Sequence, residues 1–473
     1  MPQARSPVRT APPALGRMPA LLLSLALCLV PTAARTEGLS IDEARRRLEE
    51  SSDSLRAARL MQEARGLEAD AARSLVLPTV SATVMYSKLQ RKFELNTSPL
   101  AAVVPGFPSE LDLTYKNEGV RPIVSFNWPI FTGGKITAAQ QLAGARTTEA
   151  GAAVRGTSEA LTTRLVSAYY GLQLAEHALA VRQSVFEALT QHLHQAQRFE
   201  TTGLIPRADR LHAQVAYDES RRELLKAQDD RALAQSALNH LLDSKGDVEP
   251  ASPLFVRSAP VEPLNTWLDQ GLSAHPALAI LDAKREQTLQ LQTIEKSRLL
   301  PDVVATGFYE LNHDVLTPVE PDWLVGVVVH MTLFDNQDRL SRIEASKRET
   351  RSVEALKAQT QSDLSTLIEK RWRELEQARN RYLLLESSIS LAEENVRLRE
   401  AGFREGQATS LDLVDARLSL AKAQIERAQA ARDYDVSLAE LLESCGQSER
   451  FTDYANRADI RVETPNASSG AKP

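Results

Sequence analysis

Asp412 and Asp415 stand three residues apart in "GQATSLDLVDARLSL", Gly406 to Leu420, where a glycine-led loop runs into a helix. On a helix that spacing places both carboxylates on one face, beside Leu411, Leu413, Val414 and Leu418. Two chemistries suit the pair. Thr409 and Asp412 have the spacing of a capping box, and an acid in the first turn also meets the helix dipole. Asp415 lies beyond the box. Alternatively, copies of the pair gathered around a symmetry axis would raise one another's pKa and attract cations. Other spacings are less productive. "HLH" (His192, His194) suggests a metal, but residues i and i+2 do not share a helical face, so the two rings read as solvated. "TGGK" suggests a phosphate loop, but Pro129 stands six before Lys135 and Ile136 follows it. The sequence has no Ser–His–Asp set, zinc spacing or nucleotide fingerprint, and so points to no enzyme, metal or cofactor.

The elements that must position these acids come from a chain of 473 residues, 25% charged, with a formal net charge of −6. That balance leaves no basic footprint for nucleic acid. Aromatic residues make up only 5%, while the plentiful Ala, Leu, Gln, Glu and Arg suit long helices. Arg5, Arg9 and Arg17 precede the apolar run "MPALLLSLALCLV" and then "PTAARTEG". This is the pattern of a secretory signal peptide over 1–34, cleaved near Ala34. Leu27 before Cys28 argues against a lipid-attachment site. Beyond the leader only Cys445 remains, which excludes an internal disulfide. No later run reaches the roughly 18 apolar residues of a membrane helix.

The chain repeats itself. "LPTVSATVMY" (Leu77–Tyr86) matches "LPDVVATGFY" (Leu300–Tyr309), "PIFTGGKI" matches "MTLFDNQDRL" through Phe131 and Phe334, and "GLIPRADRLHAQ" matches "GQATSLDLVDAR" through Gly203 and Gly406. The reading is one repeat over 35–250 and another over 251–446, joined at the Pro-rich link Pro250–Pro263. A disordered polar tail over 447–473 follows. Extra residues in the first repeat fall in "KLQRKFELNTSPLAAVVPGFPSELDLTYKNEG", a loop by its Pro, Gly and polar content.

Each repeat reads helix, strand, loop, strand, then two long helices. The strand–loop–strand units cover 79–131 and 302–334, and the long helices cover 133–243 and 335–443. The strands alternate: Val80, Ala82, Val84 and Tyr86 face one way, and Thr79, Ser81 and Thr83 the other. Val124, Phe126, Trp128 and Ile130 alternate likewise, as do Trp323, Val325, Val327, Val329 and Met331. Such faces fit a half-buried soluble sheet or the wall of a membrane barrel. About four strands cannot close a barrel alone, and an open sheet would leave unsatisfied edges in lipid. Membrane strands here would therefore require several chains to share one barrel. The run 335–403 makes a helix on the order of 100 Å long. Leu375, Ala378, Tyr382, Leu385, Ile389, Ala392 and Val396 mark a coiled-coil seam along it.

In their order and duplication, the leader, the strand pairs with "LPTVSATVMY" and "PIFTGGK", and the glycine turns "GLIPRADRLHAQ" and "GQATSLDLVDAR" resemble TolC-type outer-membrane efflux proteins. The resemblance spans about Leu39 to Gly446. It implies a mixed fold and a homotrimer, whose 12-stranded outer-membrane β-barrel takes four strands per chain and continues into an α-helical coiled-coil tunnel across the periplasm. It also implies a passive duct with two partners, a periplasmic adaptor and an inner-membrane pump. The cargo is small molecules or, alternatively, protein in a type I secretion system; a periplasmic scaffold without a pore is the competing class. By motif, Asp412 and Asp415 match the selectivity aspartates of the closed tip, and Asp209 matches an acid near the same constriction. Gly203, Leu204, Ile205 and Gly406 fall on the adaptor-docking rim. Trp128 and Trp323 suit an aromatic girdle at the membrane interface. Phe403 falls where many members have a Tyr and Ala408 where some have an Arg, so the polar clasp of some members cannot form through either.

Overall fold

The computed structural model describes residues 38–316, 320–334 and 336–462. The leader and the last part of the tail lie outside the described residues. The repeats are plain in the element order. Helices α1 (Ile41–Ser51) and α2 (Asp53–Arg73) lead into strand β1 (Thr79–Asn96), a short turn helix α3 (Ser98–Ala101) and strand β2 (Glu110–Phe131). Helix α4 (Lys135–Thr201) and its return α5 (Arg207–Leu241) follow. A short strand β3 (Leu254–Val256) then opens the second copy, with α6 (Leu264–Ala274), α7 (Pro276–Ser297), β4 (Asp302–Glu310), β5 (Trp323–His330), α8 (Arg339–Arg404) and α9 (Ser410–Ser444). The long helices have 67 and 66 residues, and each return helix has 35. At 1.5 Å per residue the long pair spans on the order of 100 Å.

Strands β1, β2, β4 and β5 form one antiparallel sheet in that order, with β1 and β5 at its edges. Its two faces differ. Val80, Val84, Tyr86, Trp128, Trp323, Val325, Val327 and Val329 are all exposed on one side. Ser81, Ser125, Asn127 and Thr306 occupy the other, where Ser81 Oγ lies 2.9 Å from Ser125 Oγ and Thr306 Oγ1 donates to Asn127 Oδ1 at 2.7 Å. An apolar outer and a polar inner face suit lipid on one side and water on the other.

Two expectations are corrected here. The extra residues after Ser87 are not a loop. β1 runs on to Asn96 and pairs residue for residue with β2 from Glu110, which leaves only residues 97–109 as the connection. The alternation of Leu89, Arg91, Phe93 and Leu95 with Lys88, Gln90, Lys92 and Glu94 supplies the period of two that a strand needs. Nor is the tail disordered throughout. After α9 the chain forms α10 (Phe451–Asn456) and β6 (Ile460–Val462), and β6 pairs antiparallel with β3. Phe451 and Tyr454 are buried among Tyr170, Phe255 and Trp267 in the main core, where Phe255 meets Tyr170 and Phe451 edge to face. The link between repeats is likewise structured, since β3 is fully buried.

Candidate functional site at the helical tip

Each long helix ends in the same turn. Gly203 and Gly406 both have φ of 75°, a left-handed conformation that glycine adopts without Cβ strain. Leu204 N donates to Phe199 O at 2.8 Å and Gly203 N to Glu200 O at 3.0 Å; in the second copy Gln407 N donates to Gly402 O at 2.7 Å and Gly406 N to Phe403 O at 3.2 Å. These are two Schellman turns, which satisfy the last helical carbonyls. Replacing Gly406 with Ala therefore costs about 1 kcal/mol or more. The apparent unfolding temperature of the purified protein checks this; no shift would mean the turn relaxes without cost.

Past the turn, the capping box forms in full. Asp412 N donates to Thr409 Oγ1 at 3.2 Å, and Thr409 N donates back to Asp412 Oδ2 at 3.0 Å. The second oxygen, Oδ1, lies 3.7 Å from Arg399 Nη1 on α8. The donated hydrogen bonds, with help from Arg399, hold the Asp412 carboxyl below the ordinary carboxylate range. Within one chain Asp412 is thus an occupied, ionised cap. Asp415 has no such role. It is exposed, between exposed Leu411 and Leu418 one turn either side, while Leu413 and Val414 turn inward. Asp209 stands half-buried in the first turn of α5, which has no side-chain cap at Pro206. The three acids therefore belong to two separate helical hairpins.

The rim residues divide. Leu204 is 69% exposed. Ile205, placed by motif on the docking rim, is half-buried: it packs against Leu193, Ala196 and Ala213, closing the α4–α5 hairpin. The positions of the missing clasp are filled differently. Phe403 is buried against His192 and Phe199, with ring centroids at 4.7 and 5.8 Å. Ala408 lies against Gly402, where a Cβ would approach within 3.2 Å of the Ala408 methyl.

Sequence reasoning misread His192. It is buried, not solvated, and its Nε2 lies 2.7 Å from Ser410 Oγ, a hydroxyl on α9 that is itself fully buried. Burial and the nearby Arg417 guanidinium push its pKa down to about 4, so the ring is neutral. His194 is exposed on another face. His192 thus bridges the two hairpins, α4 to α9. Within the second hairpin, Arg417 Nη2 reaches Glu400 Oε1 at 2.6 Å and Arg427 Nη1 reaches Glu386 Oε2 at 2.8 Å. Also unnoticed was a second heptad stripe on α8, of exposed Leu384, Leu391 and Leu398. Its spacing of seven was visible, but it lies on the face opposite the buried seam of Leu375, Tyr382 and Ile389.

A sheet with one lipid-type face and two open edges, continued by helices about 100 Å long, defines an outer-membrane channel subunit. The profile of the outer membrane efflux protein family matches residues 44–244 and 267–447, and the chain belongs to that family. Its fold is that of solved outer-membrane channels. The Campylobacter jejuni CmeC outer membrane channel aligns with a TM-score of 0.71 at 13% identity, over 89% of this chain and 90% of that one. The open state of the Neisseria gonorrhoeae MtrE outer membrane channel aligns with a TM-score of 0.68 at 18% identity, over 86% and 89%. In sequence, Protein CyaE of Bordetella pertussis is 26% identical over 267 residues, 54% of this chain. The chain spans 56% of that relative's length. The protein is therefore an outer-membrane efflux channel protein whose helical part extends into the periplasm, and each chain contributes a four-stranded sheet.

Proposed function

We propose that this chain forms the outer duct of a tripartite export system, a passive path for small molecules across the periplasm and outer membrane. The observation that carries the reading is the two-faced, open-edged sheet running directly into the long helical hairpins. In this reading an inner-membrane pump supplies the energy, and a periplasmic adaptor docks on the rim at Gly203, Leu204 and Gly406, with exposed Leu204 as its apolar foothold. Ile205 contributes by holding the rim in shape. Trp128, whose Nε1 donates to Val76 O at 3.0 Å, sits near the helical end of the apolar face, and Trp323 opens β5 at the outer end. Both line one apolar hollow with Pro78, Phe126 and Tyr309, so they serve as aromatic anchors on the same stretch of the apolar face.

Asp209, Asp412 and Asp415 line the constriction at the tip. They do not contribute equally. Asp412 is engaged by its cap and by Arg399, so exposed Asp415 supplies most of the field that favours cations. His192 and Ser410 hold the two hairpins together in place of the absent polar clasp. Purified protein in a planar bilayer should show a small, cation-selective conductance under a salt gradient. Asp415→Ala should remove most of that preference, and adding Asp412→Ala should widen the pore. Unchanged selectivity in the double variant would remove the acids from the gate and leave capping as their role. Restored drug resistance in a channel-deficient strain tests the cargo, while secretion of a protein substrate without such rescue would favour type I export.

A further inference from the structure

The β1–β2 hairpin is far taller than the rest of its sheet. β4 and β5 have 9 and 8 residues, whereas β1 and β2 have 18 and 22. The β2–β4 pairing ends at Ile123↔Glu310, while the hairpin continues to Asn96↔Glu110. At about 3.3 Å per residue the overhang is on the order of 30–40 Å. A neighbouring chain's β5, which must pair with the β1 edge to close a barrel, is too short to follow it. The overhang therefore stands above the barrel at the end remote from the helices.

Its polarity reverses there. Along the barrel and the first few residues of the overhang, the face carrying Val80, Val84 and Tyr86 is apolar and turned to lipid; the reversal begins at Lys88. On the overhang the same face carries the cross-strand pairs Lys88↔Glu118, Gln90↔Lys116, Lys92↔Thr114 and Glu94↔Asp112. The opposite face, polar where it lines the barrel, becomes mostly apolar, with Leu89, Phe93 and Leu95 opposite Asn117, Leu113 and Leu111; it is interrupted by Arg91 opposite Tyr115, whose guanidinium stacks 5.1 Å over the Phe93 ring. Leu113 and Leu95 are each 47% exposed in the isolated chain. Because side chains alternate strictly, the apolar face of the overhang is the one turned toward the pore axis.

The chain after β4 already uses the lower part of that face. Leu311 N donates to Pro122 O and Asn312 Nδ2 to Val120 O, both at 2.9 Å. Tyr115 Oη donates to Leu316 O at 2.8 Å, and Arg121 Nε donates to the buried Glu310 Oε2 at 3.0 Å. Gly119 is required beneath this strap, since a Cβ there would collide with Val315. Residues 311–316 thus lie across the lumen side of β2 and do not rise beside it.

We propose that the three hairpins of the trimer converge through this apolar face and cap the outer mouth, a second constriction opposite the helical tip. The occupant of each face is the same face of the other two copies. Continuity with the shared barrel puts them around one axis, and a solvated outer face with an apolar inner one is what a closed cap needs. This rests on the barrel reading and adds the outer closure to it.

The test is labelling of intact cells by a membrane-impermeant maleimide, with single cysteines at Leu113 (inward) and Thr114 (outward). Cys445 is fully buried, so the parent chain gives the blank. Thr114→Cys should label readily. Leu113→Cys should label at least tenfold more slowly and be joined between subunits by a short bis-maleimide. Adding Phe93→Asp, which puts charge into the packed face, should restore its labelling. Equal labelling of the two sites without cross-links would overturn the cap but leave the barrel. Absence of labelling at both would place the hairpin off the cell surface and overturn the barrel orientation as well. Leu95→Cys against Lys92→Cys repeats the comparison if the first pair fails to assemble.

Discussion

His192→Ala is expected to raise single-channel conductance several-fold and to make closure of the tip nearly insensitive to mild acid. The bridge from His192 Nε2 to Ser410 Oγ joins the two hairpins, and the ring also packs edge to face on Phe403. Truncation leaves the buried Ser410 hydroxyl without its partner, a loss of about 1–3 kcal/mol. Each 1.4 kcal/mol shifts an open–closed equilibrium about tenfold, so a tip that is mostly shut becomes substantially open. Ser410→Ala should act similarly, and the double variant should cost less than the sum of the two.

The pH dependence follows from the lowered pKa of about 4 against an ordinary 6.5. Above pH 6.5 the ring is neutral whether the tip is packed or loosened, and the closed packing has its full stability. As pH falls from 6.5 toward 4, the loosened state takes up a proton that the packed state refuses. The closed state then loses up to about 3 kcal/mol. The charge acting on the ring is Arg417 on α9, itself paired with Glu400 on α8, and Phe403 packs on the ring. Wild-type conductance should therefore climb between pH 6.5 and 4.5, and the His192→Ala profile should be flat there. A wild-type conductance constant over that range, or a variant conducting like the parent, would dismiss the bridge as the latch.

What the sequence disclosed and what it concealed divide along a physical line. Features written in local periodicity were legible. The glycine turns, the long helices, the alternating barrel faces and the Thr409–Asp412 capping box all follow from residues within a few positions of one another. The duplication was legible because two copies of one pattern confirm each other. Features that depend on distant partners were not. His192 looks like any helical histidine until α9 brings Ser410 from 218 residues away. Arg121 and Glu310 are 189 residues apart before β2 and β4 pair. The overhanging hairpin was a different kind of miss: its alternation was present, but Pro and Gly at its tip and lysines along its outer face suggested a loop. Those lysines alternate with Leu89, Phe93 and Leu95, which is the period of a strand.

Deleting the chain from Gln447 onward is expected to prevent stable folding. The segment 447–462 is a clasp on the core. Phe451 is 2% exposed and lies against Tyr170 of the first repeat and Phe255 of the link, with ring centroids at 6.1 and 5.7 Å. Tyr454 Oη donates to Glu262 Oε2 at 2.9 Å, Thr452 Oγ1 to Asp42 Oδ1 at 2.5 Å, and Ser448 N to Glu159 Oε2 at 2.8 Å. Asp42 is on α1, Glu159 on α4 and Glu262 in the link, so a few residues join the start, middle and end of the chain. Phe451→Ala removes a large ring from a packed aromatic cluster and should cost about 3–5 kcal/mol, and Phe451→Leu, which refills part of the space, markedly less. Apparent unfolding temperature in detergent, compared at one scan rate, reads the difference. If Phe451→Ala melts with the parent, or the chain ending at Gly446 still forms a channel, this segment is dispensable and the two repeats hold the core without it. A large loss for Phe451→Ala with little loss for Phe451→Leu would instead locate the clasp in apolar burial, ahead of its hydrogen bonds, because Leu restores volume while leaving Thr452 and Tyr454 in place.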